Sequence, residues 1–125
     1  MNNDAQSCPF CRPEDVLFEN DLAYVKPDKF PVNPGHLLLI PRRHVADFFC
    51  TSEAEKAALL ALLDQAKKYL DVQHAPAGYN VGINVGEAAG QTIMHVHLHL
   101  IPRYQGDLGN PRGGVRGVIP SRQSY

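Results

Sequence analysis

The sequence predicts an α+β domain in which one long helix separates two groups of short strands. Three observations carry this expectation. Only one stretch, about residues 52–71, has a sustained helical period. The apolar runs on either side are short and bounded by Gly, Pro, Asn or Asp, as strands are. The order is strands, helix, strands, which favours mixed or antiparallel pairing over a parallel βαβ array. The chain has 125 residues, fitting a single domain over 1–125. A domain of this size buries roughly two thirds of its unfolded surface, so it needs no staple merely to fold.

Residues 1–14 form a polar arm containing Ser7-Cys8-Pro9-Phe10-Cys11-Arg12. Brief strands are expected at Val16–Phe18 and Leu22–Val25 around Glu19-Asn20-Asp21, with a loop over Lys26–Pro34. Gly35–Pro41 is a continuous apolar run closed by proline and reads as a strand buried on both faces. Ser52 followed by Glu55 is a capping-box pattern. Ala58, Leu59, Leu62, Leu63, Ala66, Tyr69 and Leu70 then form the core-facing stripe of one amphipathic helix, with Lys56, Gln65, Lys67 and Lys68 outward. His74–Gly78 is a connector, and His74 is expected at the surface. Tyr79–Val85 alternates as a strand, Gly86–Gly90 is a glycine-bearing turn, and Ile93–Ile101 is the strongest strand signal, stopped by Pro102. The tail, about 104–125, is rich in glycine and proline and is expected to be irregular.

Composition excludes several functions. With 44% apolar and 20% charged residues the chain is not a disordered one, and no apolar run approaches the ~20 residues of a membrane span. A net charge of −1 supplies no positive field for a nucleic-acid polymer. The start, MNNDAQSCPF, has no secretory pattern, and three cysteines suit a reducing compartment, so a cytoplasmic location is expected.

Three of the six histidines fall within five residues, His95-Val96-His97-Leu98-His99. On a strand they project from one face, while Val96, Leu98 and Leu100 project from the other. The apolar face has packing to do; the imidazole face has no comparable structural task. Such a row could chelate a catalytic metal, or present a neutral imidazole as a nucleophile whose second nitrogen is held by a hydrogen bond. The outer pair would lie ~13 Å apart on a straight strand, so one ion would struggle to collect all three. Upstream, Gly86-Glu87-Ala88-Ala89-Gly90-Gln91-Thr92 offers close backbone approach and neutral donors, a plausible anion cradle. Cys8-x-x-Cys11 fits a zinc half-site, a redox pair or chance. A closed zinc site needs two more ligands, and Cys50 reads more simply as a buried thiol.

His95-Val96-His97-Leu98-His99-Leu100-Ile101 resembles the defining motif of the histidine triad (HIT) family, His-φ-His-φ-His-φ-φ with φ apolar. The likeness extends through Asn84, Gly90-Gln91-Thr92, Pro34-Gly35-His36, Ile40-Pro41 and Cys8-Pro9-Phe10-Cys11, and is strongest to bacterial-type, diadenosine tetraphosphate hydrolase-like members. The resemblance implies an antiparallel sheet of about five strands with one long helix, extended across a homodimer. It implies a nucleotide hydrolase or nucleotidyl transferase acting on a purine mononucleotide derivative, either a dinucleoside polyphosphate or a nucleoside phosphoramidate. His97 is then the nucleophile, with His99 beside the phosphoryl oxygens and assisting proton transfer. Gln91, Thr92 and Asn84 would serve the phosphate, Asp28 the ribose, and His36 would lie near the active histidine. The resemblance also assigns a structural zinc to Cys8, Cys11, His44 and His95, which frees His97 to react. Phe10, Leu17 and Phe30 are candidates for the base. Arg112 and Arg116 either meet distal phosphates or belong to a solvated tail, and Arg103 and Tyr104 are expected to line the same region. Two other readings stand beside this one: a slow or inactive nucleotide-binding module of the same fold, and a hydrolase with catalytic zinc on the histidine row.

Overall fold

The computed structural model describes residues 5–125, so the first four residues of the expected arm lie outside the described residues. The strands are β1 (Phe18–Glu19), β2 (Ala23–Pro27), β3 (Leu37–Pro41), β4 (Gly78–Ile83) and β5 (Leu98–Arg103), with helix α1 over Glu53–Gln73. They form one five-stranded antiparallel sheet in the order β1-β2-β3-β5-β4. Strand alternation divides the sheet into two faces. Ala23, Val25, Leu37, Leu39, Leu98 and Leu100 pack on Leu59, Leu62, Ala66 and Leu70 of α1. Tyr24, Leu38 and Ile40 face the other way, against Cys8 and Phe10 of the arm. Truncating a buried leucine such as Leu62 to Ala would cost about 2–5 kcal/mol, so the helix–sheet layer dominates stability.

The helix begins where expected. Ser52 Oγ accepts from the Glu55 amide at 3.0 Å and Glu55 Oε1 accepts from the Ser52 amide at 2.8 Å. The buried Glu55 carboxylate is also gripped by Arg43, through Nη2 at 2.8 Å and Nε at 3.1 Å. Arg43 precedes His44, so this pair ties the helix start to the loop after β3. At the other end, Gly35 has φ +92°, and a Cβ there would meet Leu70 Cδ2 and His74 Cδ2 at 3.0 Å. Only glycine fits this loop so closely against the last turns of α1.

Several expected boundaries move. Lys26 and Pro27 belong to β2 rather than to a loop, paired with Leu38 and Leu37. The last strand starts at Leu98, not Ile93. Leu98 is the first residue of β5 paired on either side, with Leu39 and with Ile83. Before it, the Val96 amide donates to Val45 O at 2.8 Å, in the loop after β3. His95 and His97 therefore lie in the segment that leads into β5, with His95 in a bend, and only His99 is within the sheet. Cys50 is exposed at the end of a 3-10 turn, Phe48–Cys50, and is not a core thiol. The tail forms 3-10 turns at Gly114–Val118 and Pro120–Arg122 and returns beside Gly113, where a Cβ would meet Gln123 O at 1.8 Å. Among the described residues, no helix is long and apolar enough to cross a membrane.

Candidate functional site

The arm and the lead-in to β5 converge on one cluster. Cys8 Sγ lies 3.4 Å from His95 Nδ1, and Cys11 Sγ lies 3.2 Å from His44 Nδ1 and 3.6 Å from His95 Nδ1. All four ligating atoms fall within 4.8 Å of one another. Around a tetrahedral zinc the sulfur-to-nitrogen edge is about 3.6 Å, so the donor set and its spacing fit that ion. The outward nitrogen of His95 is also placed: Nε2 donates to Pro41 O at 2.6 Å, which leaves the Nδ1 lone pair turned toward the thiols. Without a cation, burial and the neighbouring Cys8 thiol push the Cys11 thiol up to about 11. A bound dication would reverse that preference.

Two residues further on the arrangement is inverted. His97 Nδ1 donates to His95 O at 2.9 Å, so its lone pair is on Nε2. Phe10 packs edge-on against His97, ring centroids 5.0 Å apart, and its own carbonyl is held by the Tyr24 hydroxyl at 2.6 Å. His97 lines a cavity of about 980 Å³ on the sheet face opposite the helix.

A second chain of ring nitrogens lies beside it. The Val32 amide donates to His36 Nδ1 at 3.0 Å, so neutral His36 carries its proton on Nε2. That nitrogen is 2.9 Å from His99 Nδ1 and 3.4 Å from Asp28 Oδ2. His99 accordingly accepts at Nδ1 and keeps a proton on Nε2. Burial lowers the pKa of His36, His97 and His99. For His99 the neighbouring His97 and His36 add to burial and bring it down to about 4, against a smaller opposing pull from Asp28. The row is therefore neutral at physiological pH, which a nucleophilic imidazole needs.

Asp28, His36 and His99 also have ligating atoms within 4.8 Å of one another. A metal on His36 Nε2 would move the ring proton to Nδ1, against the Val32 amide. The hydrogen bonding thus favours a proton-bearing row there. Neither cluster contains His97, nor does either hold two triad histidines.

The cavity wall brings together most of the residues singled out in the sequence: Asp28, His36, Asn84, Thr92, His97 and His99. Gln91 is different. It is buried, its Oε1 accepts from the Gly86 amide at 2.8 Å, and its Nε2 donates to Ala46 O at 2.8 Å and Ile93 O at 3.1 Å. Its amide holds the glycine loop in shape instead of facing the cavity. Phe10 and Phe30 line the cavity, whereas Leu17 lines a separate one of about 250 Å³ behind His36.

Arg103 reaches the cavity but its guanidinium is committed to Asp107, at 2.8 Å through both Nε and Nη2, and to Asn80 Oδ1 at 2.7 Å. The Tyr104 hydroxyl donates to Pro34 O at 2.6 Å. Arg112 and Arg116 stack on the Tyr125 ring at 4.8 and 4.9 Å, and the tail lines the cavity instead with Gly114, Val115, Gly117, Val118 and Gln123. Sequence reasoning passed over Lys26, which lines the cavity and is only 4% exposed. The signal was available: in Tyr24-Val25-Lys26 the lysine takes the same strand face as the tyrosine.

An antiparallel sheet backed by a single helix, with alternate histidines leading into its fourth paired strand in space, defines a histidine triad domain. The HIT domain model matches residues 11–106, and the chain belongs to the HIT family. It is 37% identical over 112 residues to an uncharacterized HIT-like protein of Mycoplasma genitalium, covering 82% of this chain and 77% of that one. It is 36% identical over 93 residues to an AP-4-A phosphorylase of Mycobacterium tuberculosis, covering 74% of this chain but 48% of that protein, so it spans about half of that relative's length. The crystal structure of a zinc-bound histidine triad family protein from Mycobacterium smegmatis superposes with a TM-score of 0.74 at 32% identity, covering 83% of this chain and 80% of that one.

Proposed function

We propose that this protein transfers a nucleotidyl group through His97, cleaving the α-phosphate bond of a nucleotide derivative. The observation that carries the reading is the His97 hydrogen bond: Nδ1 donates to His95 O at 2.9 Å, leaving the Nε2 lone pair beside the cavity. In the first step that pair forms an N–P bond to the α-phosphorus, and the bond from phosphorus to the leaving group breaks with its electrons going to the latter. In the second step water attacks phosphorus, the N–P electrons return to Nε2, and a proton of the water is released to solvent. Splitting the displacement lowers each barrier. The proton on His99 Nε2, set by the His36 contact at 2.9 Å, donates to a phosphoryl oxygen as charge spreads over that group. Asn84 and Thr92 serve the phosphate and Asp28 the ribose. Gln91 acts indirectly, by holding the loop.

Cys8, Cys11, His44 and His95 would hold a structural zinc, whose chemistry there is to cross-link the arm to the catalytic segment. The names of relatives among the AP-4-A phosphorylases support a nucleotide substrate, and the open edge at β4 supports a homodimer that continues the sheet. A panel comparing adenosine phosphoramidates with dinucleoside polyphosphates, read for turnover and for a nucleotidyl adduct by intact mass after rapid quench, tests the reading. An adduct that disappears in His97→Asn while nucleotide still binds is the expected result. Undiminished turnover in that variant overturns it, and nucleotide binding with no turnover of any substrate leaves the non-catalytic module as the better account.

A further inference from the structure

Lys26 lines the cavity, and the proposed reaction does not use its chemistry. Only 4% of the residue is exposed. Its ammonium stands over the Phe10 ring, 5.9 Å from the centroid. Among the described residues no carboxylate or hydrogen-bond acceptor stands on that ammonium, although it is not sealed from the cavity. The stem is buried while the ammonium opens to the cavity, so a ligand there can supply the acceptor that the described residues do not.

The sheet fixes where that acceptor must be. Lys26 pairs with Leu38, Leu38 with His99, and His99 with Gly82, so these four form one row across the face that carries the cavity. Lys26 is thus two strand spacings from His99, about 10 Å. It stands on the far side of apolar Leu38 from the imidazoles that would take the phosphate. Phe10 and Leu38 offer flat apolar walls beside it. With phosphate at one end of this row, the group reaching the other end is the base of the same nucleotide.

We propose that Lys26 reads the edge of that base and selects a 6-oxo purine, guanine or hypoxanthine, over adenine. This assignment rests on the nucleotide reading above. An ammonium has donors only. A 6-oxo purine presents O6 and N7, both acceptors, on one edge. Adenine presents the acceptor N7 beside the 6-amino group, a donor that would face the ammonium. A charge-assisted hydrogen bond gained by one base and lost by the other separates their affinities by roughly tenfold to a hundredfold.

Calorimetric titration of the full chain with GMP, IMP, AMP and ribose 5-phosphate tests the assignment. GMP and IMP should bind at least tenfold more tightly than AMP. In Lys26→Met, which keeps the unbranched apolar stem and removes the charge, both should fall to the AMP value, while AMP and ribose 5-phosphate change by less than about twofold; Lys26→Arg should keep the preference. The IMP-to-AMP ratio in the unaltered protein needs no variant, so a folding defect in Lys26→Met cannot shelter the proposal. AMP binding as tightly as IMP overturns it, and so does an equal loss of all four ligands in Lys26→Met, which would place Lys26 on the phosphate. If neither nucleotides nor ribose 5-phosphate bind the unaltered protein, the nucleotide reading falls and takes this assignment with it.

Discussion

His95 and His97 are two residues apart and hold their protons on opposite nitrogens. In His95, Nε2 donates to Pro41 O and Nδ1 is turned toward two thiols; in His97, Nδ1 donates to His95 O and Nε2 is left for the cavity. His95 is fully buried, whereas His97 is part-exposed beside a large cavity. On the proposed reading, the same side chain serves as a metal ligand or a nucleophile according to which ring nitrogen a backbone carbonyl captures. Identity in the motif does not set the role; the neighbouring carbonyl does.

That comparison can be broken in several places. The largest effect should come from His97→Asn, with kcat falling by roughly 10⁴-fold or more while metal content and nucleotide affinity persist, as elemental analysis and titration would show. A fall in metal content would mean that the two histidines are not separate in role. Next, Cys8→Ala or His44→Ala should take the protein from about one zinc per chain to none, lowering Tm while leaving residual turnover in whatever remains folded. Freshly purified protein without zinc would refute the ligand set.

His36→Ala removes the donor that fixes His99 and should lower kcat about tenfold to a hundredfold with little change in KM. The pH dependence of this region has a definite sign. His99 titrates at about 4 in the folded protein, against about 6.5 unfolded, so its neutral form contributes stability present above pH 6.5 and lost as pH falls toward 4. Stability measured between pH 7 and 4 should fall less steeply in His99→Asn.

The smallest effect is expected at Glu55, whose carboxylate Arg43 and the Ser52 cap hold down to about 2. Glu55→Gln should cost about 1–2 kcal/mol by denaturant unfolding, weaken zinc through the loop bearing His44, and leave kcat unchanged. Because the folded value is depressed, this contribution is present above about pH 4.5 and lost as pH falls toward 2.

Much of this was legible in the sequence because it depends on local period and spacing. The Ser52–Glu55 box and the stripe from Leu59 to Leu70 are properties of one helix, and the structure extends that helix only to Gln73. Pairing is not local. Nothing within Ile93–Ile101 says that its partners run out before Leu98, since β4 ends at Ile83 and, although β3 runs on to Pro41, the Pro41 carbonyl is taken by the His95 ring. Gln91 carries polar atoms suited to a phosphate, and only the fold shows them spent on Gly86, Ala46 and Ile93. Cys50 looked apolar in context, but a 3-10 turn carries it outward. Arg112 and Arg116 are held on Tyr125, a contact made by the tail curling back on itself.

Gly35 joins the two layers of the molecule at a single point. It directly precedes His36, and its missing methyl is what lets Leu70 and His74 approach to 3.0 Å from where that methyl would be. The clearance between the back of the helix and the proton-bearing row is therefore set by one hydrogen atom. A larger residue there would force the loop or the helix end to shift, so a substitution at this position would reach the histidine row through packing alone.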